Sequence, residues 1–285
     1  MKPSVRPPAV AGLFYEADAG RLRREVQRSL EDEAPRMPKP VDRWRAMLLP
    51  HAGHVYSGHI AAKGVAAVSW PTRAFLLGPN HRGTGAAVAL SPASAWRTPL
   101  GDVPADRPLA EALLAACPNI EEDAAAHGSE HALEVLLPFL QVAQPVLSAV
   151  YLSLGEPDLD LCLSVGQAIA RVVREAEQRG EGRVALVVSS DLNHYLSRKE
   201  NRRKDDRALE ALLAGDPKEL FSRVLLREHI SMCGILPATA LLAALESLVG
   251  YNPAVLAHGD SSDAGGDEDR VVGYASVLWA REGAA

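Results

Sequence analysis

Three histidines occupy equivalent places in this sequence. His51 directly follows an apolar run ending Leu48-Leu49-Pro50 and opens the turn Ala52-Gly53, His81 closes Leu76-Leu77-Gly78-Pro79-Asn80, and His194 closes Val187-Val188-Ser189-Ser190-Asp191-Leu192-Asn193. Each pairs a strand-like run with a turn rich in Gly, Pro, Asp or Asn, at the strand end where open α/β sheets present their ligands. Imidazole is the commonest neutral metal ligand, and converging imidazoles with one anionic ligand suit Fe, Zn or Cu. Cys233 is the anionic candidate. It sits in Ile230-Ser231-Met232-Cys233-Gly234-Ile235-Leu236-Pro237, just before an apolar helical pattern whose N-terminus would favour a thiolate. A small buried hydrophobe accounts for the same residue equally well. Cys117 and Cys162 lie among Ala and Leu in helical patterns and read as packing residues.

His131 and Glu134 are three apart at an expected helix start, a spacing that would turn both toward one pocket as a substrate-binding or supporting pair. Capping by Ser129 explains that segment too. His54 and His59 read as helix-surface or packing residues, and His229 and His258 carry no pattern.

The elements that must hold these side chains alternate in type. Runs at 46–49, 74–77, 86–90, 150–154, 184–189, 254–257 and 271–278 have strand length and are mostly bounded by Gly, Pro, Asp or Asn. Between them, Leu22, Val26 and Leu30, then Leu109 and Leu113, then Leu161, Val165 and Ile169 recur at helical steps, as do Leu209, Leu212 and Leu213 and later Leu241, Leu245 and Leu248. Asp216-Pro217 is a helix start, with Asp216 as cap. The alternation predicts a single large α/β domain spanning 1–285, with a central, mostly parallel or mixed sheet flanked by helices. Residues 34–40 are proline-rich and basic and read as a surface connection. Residues 259–269 resemble a calcium loop but lack its bidentate Glu and read as a flexible acidic loop, and residues 281–285 are expected to fray.

Composition bounds the function. A length of 285 residues with 47% hydrophobic residues can bury a large core, while 30 Lys+Arg against 36 Asp+Glu provides no global positive field, which points away from nucleic acid. Three scattered cysteines make no disulfide framework, and the proline-bearing start MKPSVRPPAV lacks the apolar core of a signal peptide, so a cytoplasmic setting is expected. The most apolar stretch, 232–249, contains Pro237, Thr239 and Glu246 and reads as a buried helix, not a membrane span. Nine histidines against four Phe, four Trp and six Tyr is a skewed balance that the strand-end placement begins to explain.

The motifs run nearly end to end: Arg6-Pro7-Pro8-Ala9-Val10-Ala11-Gly12-Leu13-Phe14-Tyr15, Pro50-His51-Ala52-Gly53 with Tyr56-Ser57-Gly58, Gly78-Pro79-Asn80-His81, Glu130-His131 with Glu134 and Leu137-Pro138, Ser189-Ser190-Asp191 with His194-Tyr195, Cys233-Gly234, and Val271-Val272-Gly273-Tyr274-Ala275. In this the sequence resembles the Memo family, whose prokaryotic members are known as AmmeMemoRadiSam system protein B. That family is similar in fold to class III extradiol ring-cleavage dioxygenases, which hold Fe(II) with two histidines and a glutamate and use another histidine as acid/base. The resemblance implies His51, His81 and Cys233 as metal ligands, His194 as acid/base, and Asp191 close by, orienting His194 or contributing to the metal environment. Fe(II) is the implied metal, with Cu or Zn as alternatives. The family commonly has Tyr where this chain has His54 and a second His where it has Arg82, so with Tyr56 these positions would shape a rim that recognises something different. A thiolate in a carboxylate's place shifts metal preference toward Cu(I) or Zn.

Three readings follow. The first is a dioxygenase-like, metal-dependent oxidoreductase acting on a small molecule or peptide. The second is a non-catalytic metal- or peptide-binding subunit that partners a radical-SAM system protein, as the family's name implies. The third is a hydrolase with Cys233 as nucleophile and His194 as base.

Overall fold

The computed structural model describes residues 4–33 and 40–281. Most of the proline-rich connection at 34–40 and all but the first residue of 281–285 therefore lie outside the described residues. The first half of the chain runs β1 (Val5–Arg6), α1 (Ala19–Glu33), β2 (Trp44–Leu49), α2 (His54–Ala66), β3 (Arg73–Pro79), β4 (Val88–Leu90), β5 (Ala95–Thr98), β6 (Gly101–Pro104), α3 (Arg107–Ala116) and β7 (Glu121–Glu122). The second half continues with α4 (Leu137–Ala143), β8 (Ser148–Leu154), α5 (Leu159–Gln178), β9 (Val184–Ser189), β10 (His194–Leu196), α6 (Arg198–Ala214), α7 (Pro217–Phe221), α8 (Ile235–Ser247), β11 (Asn252–Asp260) and β12 (Val271–Ala280).

The central strands β2, β9, β3 and β8 are mutually parallel, with β12 antiparallel to β2 and β4 antiparallel to β8. β10, β11 and β7 extend this nine-stranded sheet, and β1, β5 and β6 form a separate three-stranded one. β2 and β9 are buried along their whole length, because helices cover both faces. Their alternation sorts side chains between two cores. Leu48, Phe75, Leu77, Leu186 and Val188 pack with Leu109 of α3, Val165 of α5 and Leu241 of α8. Met47, Leu49, Leu76, Ala185 and Val187 pack with Leu22 and Val26 of α1, Val65 of α2 and Leu140 of α4. The expected mixed sheet flanked by helices is therefore the observed one. Cys117 and Cys162 are buried in the first core, as their helical setting predicts.

Local signals act where the sequence places them. Asp216 accepts from the Lys218 and Glu219 amides with Pro217 in the first turn of α7, and Asp158 and Asp106 cap α5 and α3 in the same way. Gly166 lets α5 close onto α8, since a Cβ there would lie 2.2 Å from the Ala240 carbonyl oxygen.

Two expectations are corrected. A 3-10 turn begins only at Glu134, and α4 follows at Leu137, so His131 precedes the helix and the three-residue spacing does not bring it onto a common face with Glu134. The acidic stretch 259–269 is not a loose loop: its first residues close β11, Ser261–Ala264 form a 3-10 turn capped by Asp260, and Arg198 pairs with Asp260, Asp263 and Glu268.

The register puts the carboxyl ends of β2, β9 and β3 side by side, with Leu49 opposite Ser189 and Leu77 opposite Val188. His51 and His81 each follow two residues after their strand. His194 instead begins β10, opposite Val272 of β12.

Candidate metal centre

A cavity of about 880 Å³ opens at this sheet edge, lined by His51, His81, His131, His194, Asp191 and Cys233 together with Phe14, Tyr56, Tyr195, Arg270 and Tyr274. Exposure grades across it: His51 is 1% exposed, whereas Tyr195 is 62% and Leu13 80%. His51 thus sits at the floor and His131 part-way out, while His81 is exposed and Leu13, Tyr195, Asp267 and Arg270 stand at the mouth.

One ring nitrogen from each of His51, His81 and His131 lies within 4.8 Å of the other two. The His81 and His131 rings stack at 4.7 Å, and His51 stands edge-on to both. Hydrogen bonds set the protonation pattern. The Ser189 hydroxyl donates its only proton to the Ala132 carbonyl (2.6 Å), so at His51 Nδ1, 2.7 Å away, it accepts. His51 therefore carries its proton on Nδ1 and keeps the Nε2 lone pair. His81 Nδ1 lies 2.9 Å from Glu130 Oε1, and His131 Nδ1 lies 3.4 Å from the same oxygen, with the same consequence. Glu130 also accepts from the backbone amides of His81, His131 and Ala132.

Burial, reinforced by the neighbouring imidazoles, holds His51 well below the usual histidine range and, with a further contribution from Arg82, brings His131 down to about 4. Burial pushes Glu130 up, but His81 and the amides outweigh it and leave the carboxyl at about 2. Neutral imidazoles supported by an ionised carboxylate are the form in which histidines bind metal.

Cys233 stands at the edge of this set. Its Sγ lies 3.3 Å from His51 Nε2 and accepts from the Asp191 amide at 3.2 Å, but it is outside the mutual 4.8 Å group. Burial, then the charge of Asp191, raises its thiol pKa. Gly234 makes this approach feasible, since a Cβ there would fall 2.3 Å from Ser190 Cβ, and its amide donates to Ser190 Oγ. Asp191 Oδ1 accepts from the His51 amide at 2.8 Å, so it anchors the His51 turn, and among the described residues it makes no hydrogen bond to His194. Burial raises the Asp191 carboxyl to about 7 against the pull of the His51 and Ala52 amides. His194 donates from Nδ1 to the Ser231 carbonyl at 2.9 Å, which leaves its Nε2 lone pair unused, and burial lowers its pKa.

The remaining sequence candidates divide. Tyr56 lines the cavity, 42% exposed. His54 does not, because Glu25 and the Val135 carbonyl take its two ring nitrogens and it opens onto a different cleft beside Phe139. Arg82 is exposed and does not line the cavity; its amide donates to Asn80. Glu134 is fully buried and faces away from the cavity. It accepts from Arg6, the amides of Ala9 and Val10, and the Tyr15 hydroxyl, tying the N-terminal motif to the segment that carries His131. Sequence reasoning gave Glu130, Ser189, Phe14, Arg270 and Tyr274 no site role. Glu130, Ser189, Phe14 and Tyr274 lie within the motifs quoted above, which was the signal that could have found them.

Fold and site define an α/β protein with a histidine cluster at the carboxyl edge of its parallel strands. The family model described as Memo-like protein matches residues 6–278, and the chain belongs to the Memo family. It is 38% identical to a MEMO1 family protein of Pyrobaculum aerophilum, covering 97% of this chain and 99% of that one, and 36% identical to one of Thermotoga maritima, covering 96% and 99%. A MEMO1 family protein of Methanopyrus kandleri is 35% identical over 97% and 99%. The crystal structure of uncharacterized protein JW3007 from Escherichia coli K12 is similar in fold, with a TM-score of 0.55 and 16% identity over 83% of this chain and 99% of that one. Among the described residues no helix is long and apolar enough to cross a membrane.

Proposed function

We propose that the protein is a metal-dependent oxidoreductase whose divalent ion, Fe(II) first and Cu or Zn as alternatives, is held by His51, His81 and His131 with Cys233 beside them. The observation that carries this reading is that Nδ1 of each ring is taken up by a supporting group, Ser189 at His51 and Glu130 at His81 and His131, while one ring nitrogen from each histidine lies within 4.8 Å of the other two. Three imidazoles fit Fe, Zn or Cu as a donor set. A metal bound there would polarise a ligand at its open positions and, if redox-active, exchange electrons with it. The chain's own groups do the rest. His194 Nε2 takes a proton from a substrate hydroxyl, and the Ser231 carbonyl stabilises the resulting imidazolium through Nδ1. Asp191 fixes the His51 backbone.

Metal titration of anaerobically purified protein tests the first half of this reading, with one ion per chain expected and binding lost in His51→Ala and His81→Ala. Oxygen uptake with a catechol tests the second. Unchanged metal content in both variants would sink the assignment.

A non-catalytic subunit that docks a partner, such as a radical-SAM protein, is the second reading, favoured by the exposed Leu13, Val55 and Tyr195. Oxidation activity that appears only with the partner would favour it. A cysteine hydrolase is disfavoured, because burial and Asp191 oppose thiolate formation at Cys233. The three free cysteines suit a reducing compartment such as the cytoplasm.

A further inference from the structure

The cavity carries polar groups that the histidine cluster leaves unused. Two arginines flank the turn between β11 and β12, and they are employed differently. Arg198 is bound to three carboxylates of that turn, Asp260, Asp263 and Glu268. Arg270 is exposed and has no carboxylate partner among the described residues. Its guanidinium lies 5.5 Å from the centre of the Tyr195 ring, and both side chains line the cavity. The turn beneath Arg270 is held by the Arg198 clamp, by the Asp260 amide donating to Asp263 and by the Val272 amide donating to Ser261 Oγ. The unpaired cation is therefore presented from a fixed base.

Tyr195 adopts a φ of 64°, in the left-handed region that bulky side chains rarely occupy. Its ring is nonetheless 62% exposed at the cavity mouth, 5.5 Å from the His194 ring, so the strained backbone gains no core packing in return. Phe14 lines the same cavity with its ring 4.7 Å from that of His131. Tyr274 is 2% exposed and lines the cavity, and its hydroxyl makes no hydrogen bond to protein among the described residues. A phenol is protonated at neutral pH and burial raises its pKa further, so the hydroxyl is a donor without a protein acceptor. Asp267 is exposed at the same mouth, which disfavours a polyanion such as a phosphate ester over a singly charged ligand.

We propose that the cavity selects a small aromatic monocarboxylate: Arg270 pairs with the carboxylate, Tyr195 and Phe14 flank the ring, and the Tyr274 hydroxyl donates to a ligand oxygen. This rests on reading the cavity as a substrate site and names the class of molecule it takes. Guanidinium matches carboxylate geometry and stacks on aromatic faces, and the Arg270–Tyr195 pair supplies both surfaces.

The test uses the full chain with benzoate, its neutral analogue benzamide and the non-aromatic cyclohexanecarboxylate, each titrated by ligand-observed NMR. The metal-stripped protein and the His51→Ala/His81→Ala double variant are run in parallel, so that carboxylate binding to metal does not contribute. Benzoate should bind at least about tenfold more tightly than benzamide and more tightly than cyclohexanecarboxylate. Arg270→Gln should abolish the preference for benzoate over benzamide while keeping the wild-type metal content and melting midpoint, and Tyr274→Phe should weaken benzoate severalfold. Equal binding of benzoate and benzamide, no saturable benzoate binding, or unchanged affinity in Arg270→Gln overturns the proposal. The two readings fail separately. Metal uptake without Arg270-dependent benzoate binding refutes this inference alone, whereas Arg270-dependent binding in a protein that takes up no metal upholds it and refutes the metal centre.

Discussion

The Ser189 hydroxyl donates to the Ala132 carbonyl and therefore accepts from His51 Nδ1, and this single relationship determines which nitrogen of His51 faces the cavity. Supporting contacts of this kind commonly contribute about 10–100-fold to metal affinity. Ser189→Ala should accordingly weaken metal binding by about that factor with little change in fold. A competition titration against a chelator reads the loss, and affinity equal to wild type would show that the contact is incidental.

Arg6 and Glu134 form an ion pair at 2.5 Å with side chains 5% and 0% exposed. Removing one member of such a pair leaves an uncompensated buried charge, which costs about 3–5 kcal/mol. Arg6→Ala should lower the denaturation midpoint by a corresponding amount and disturb the His131 segment, because Arg6 also donates to the carbonyls of His127 and Glu130. Denaturant unfolding measures the first effect, and histidine NMR signals report the second.

His127 gives the stability an acid-sensitive component. Burial lowers its pKa to about 4; its Nε2 donates to the Ala89 carbonyl, and its Nδ1 is buried without a partner. In the unfolded chain the ring titrates near about 6.5. The contribution is complete above that value and is lost as pH falls from there toward 4, because the unfolded state takes up the proton first. It amounts to roughly 3 kcal/mol. His127→Gln lacks this titration, so the stability gap between wild type and variant should narrow as unfolding is measured from pH 7 down to 4. A gap independent of pH would rule the assignment out.

Gly234 is where the Cys233 segment meets the Ser190 turn, and an added Cβ would lie 2.3 Å from Ser190 Cβ. Overpacking of this order costs about 1–3 kcal/mol. Gly234→Ala should lower the melting temperature and move Cys233 away from His51, which increases the rate of thiol alkylation in metal-free protein. An unchanged rate would mean that the segment adapts without releasing Cys233.

Much of the scaffold is legible in the residues themselves. Strands 46–49, 74–77, 150–154 and 184–189 all lie within observed strands, because strands buried on both faces read as continuous apolar runs. The Asp216-Pro217 cap and the turns after His51 and His81 follow from local chemistry as well. The short strands β1, β5, β6, β7 and β10 escape such reading. They carry two to four residues, too few for a period; β5 and β6 pair with each other in a tight hairpin, whereas β1, β7 and β10 form only because a distant strand offers them partners, as Trp96 does for Arg6.

For the site, the sequence by itself determined that His51 and His81 stand at strand ends, since a strand-end turn is a local property of the chain. Which third group joins them was a tertiary decision. Helical spacing paired His131 with Glu134, yet the 3-10 turn starts three residues too late for that. The buried bonds of Arg6 and Glu134 then draw Glu134 toward the N-terminal motif, while the Glu130 carboxylate holds His131 against His81. The His51 tautomer depends on Ser189, more than a hundred positions away, and no spacing along the chain encodes that contact.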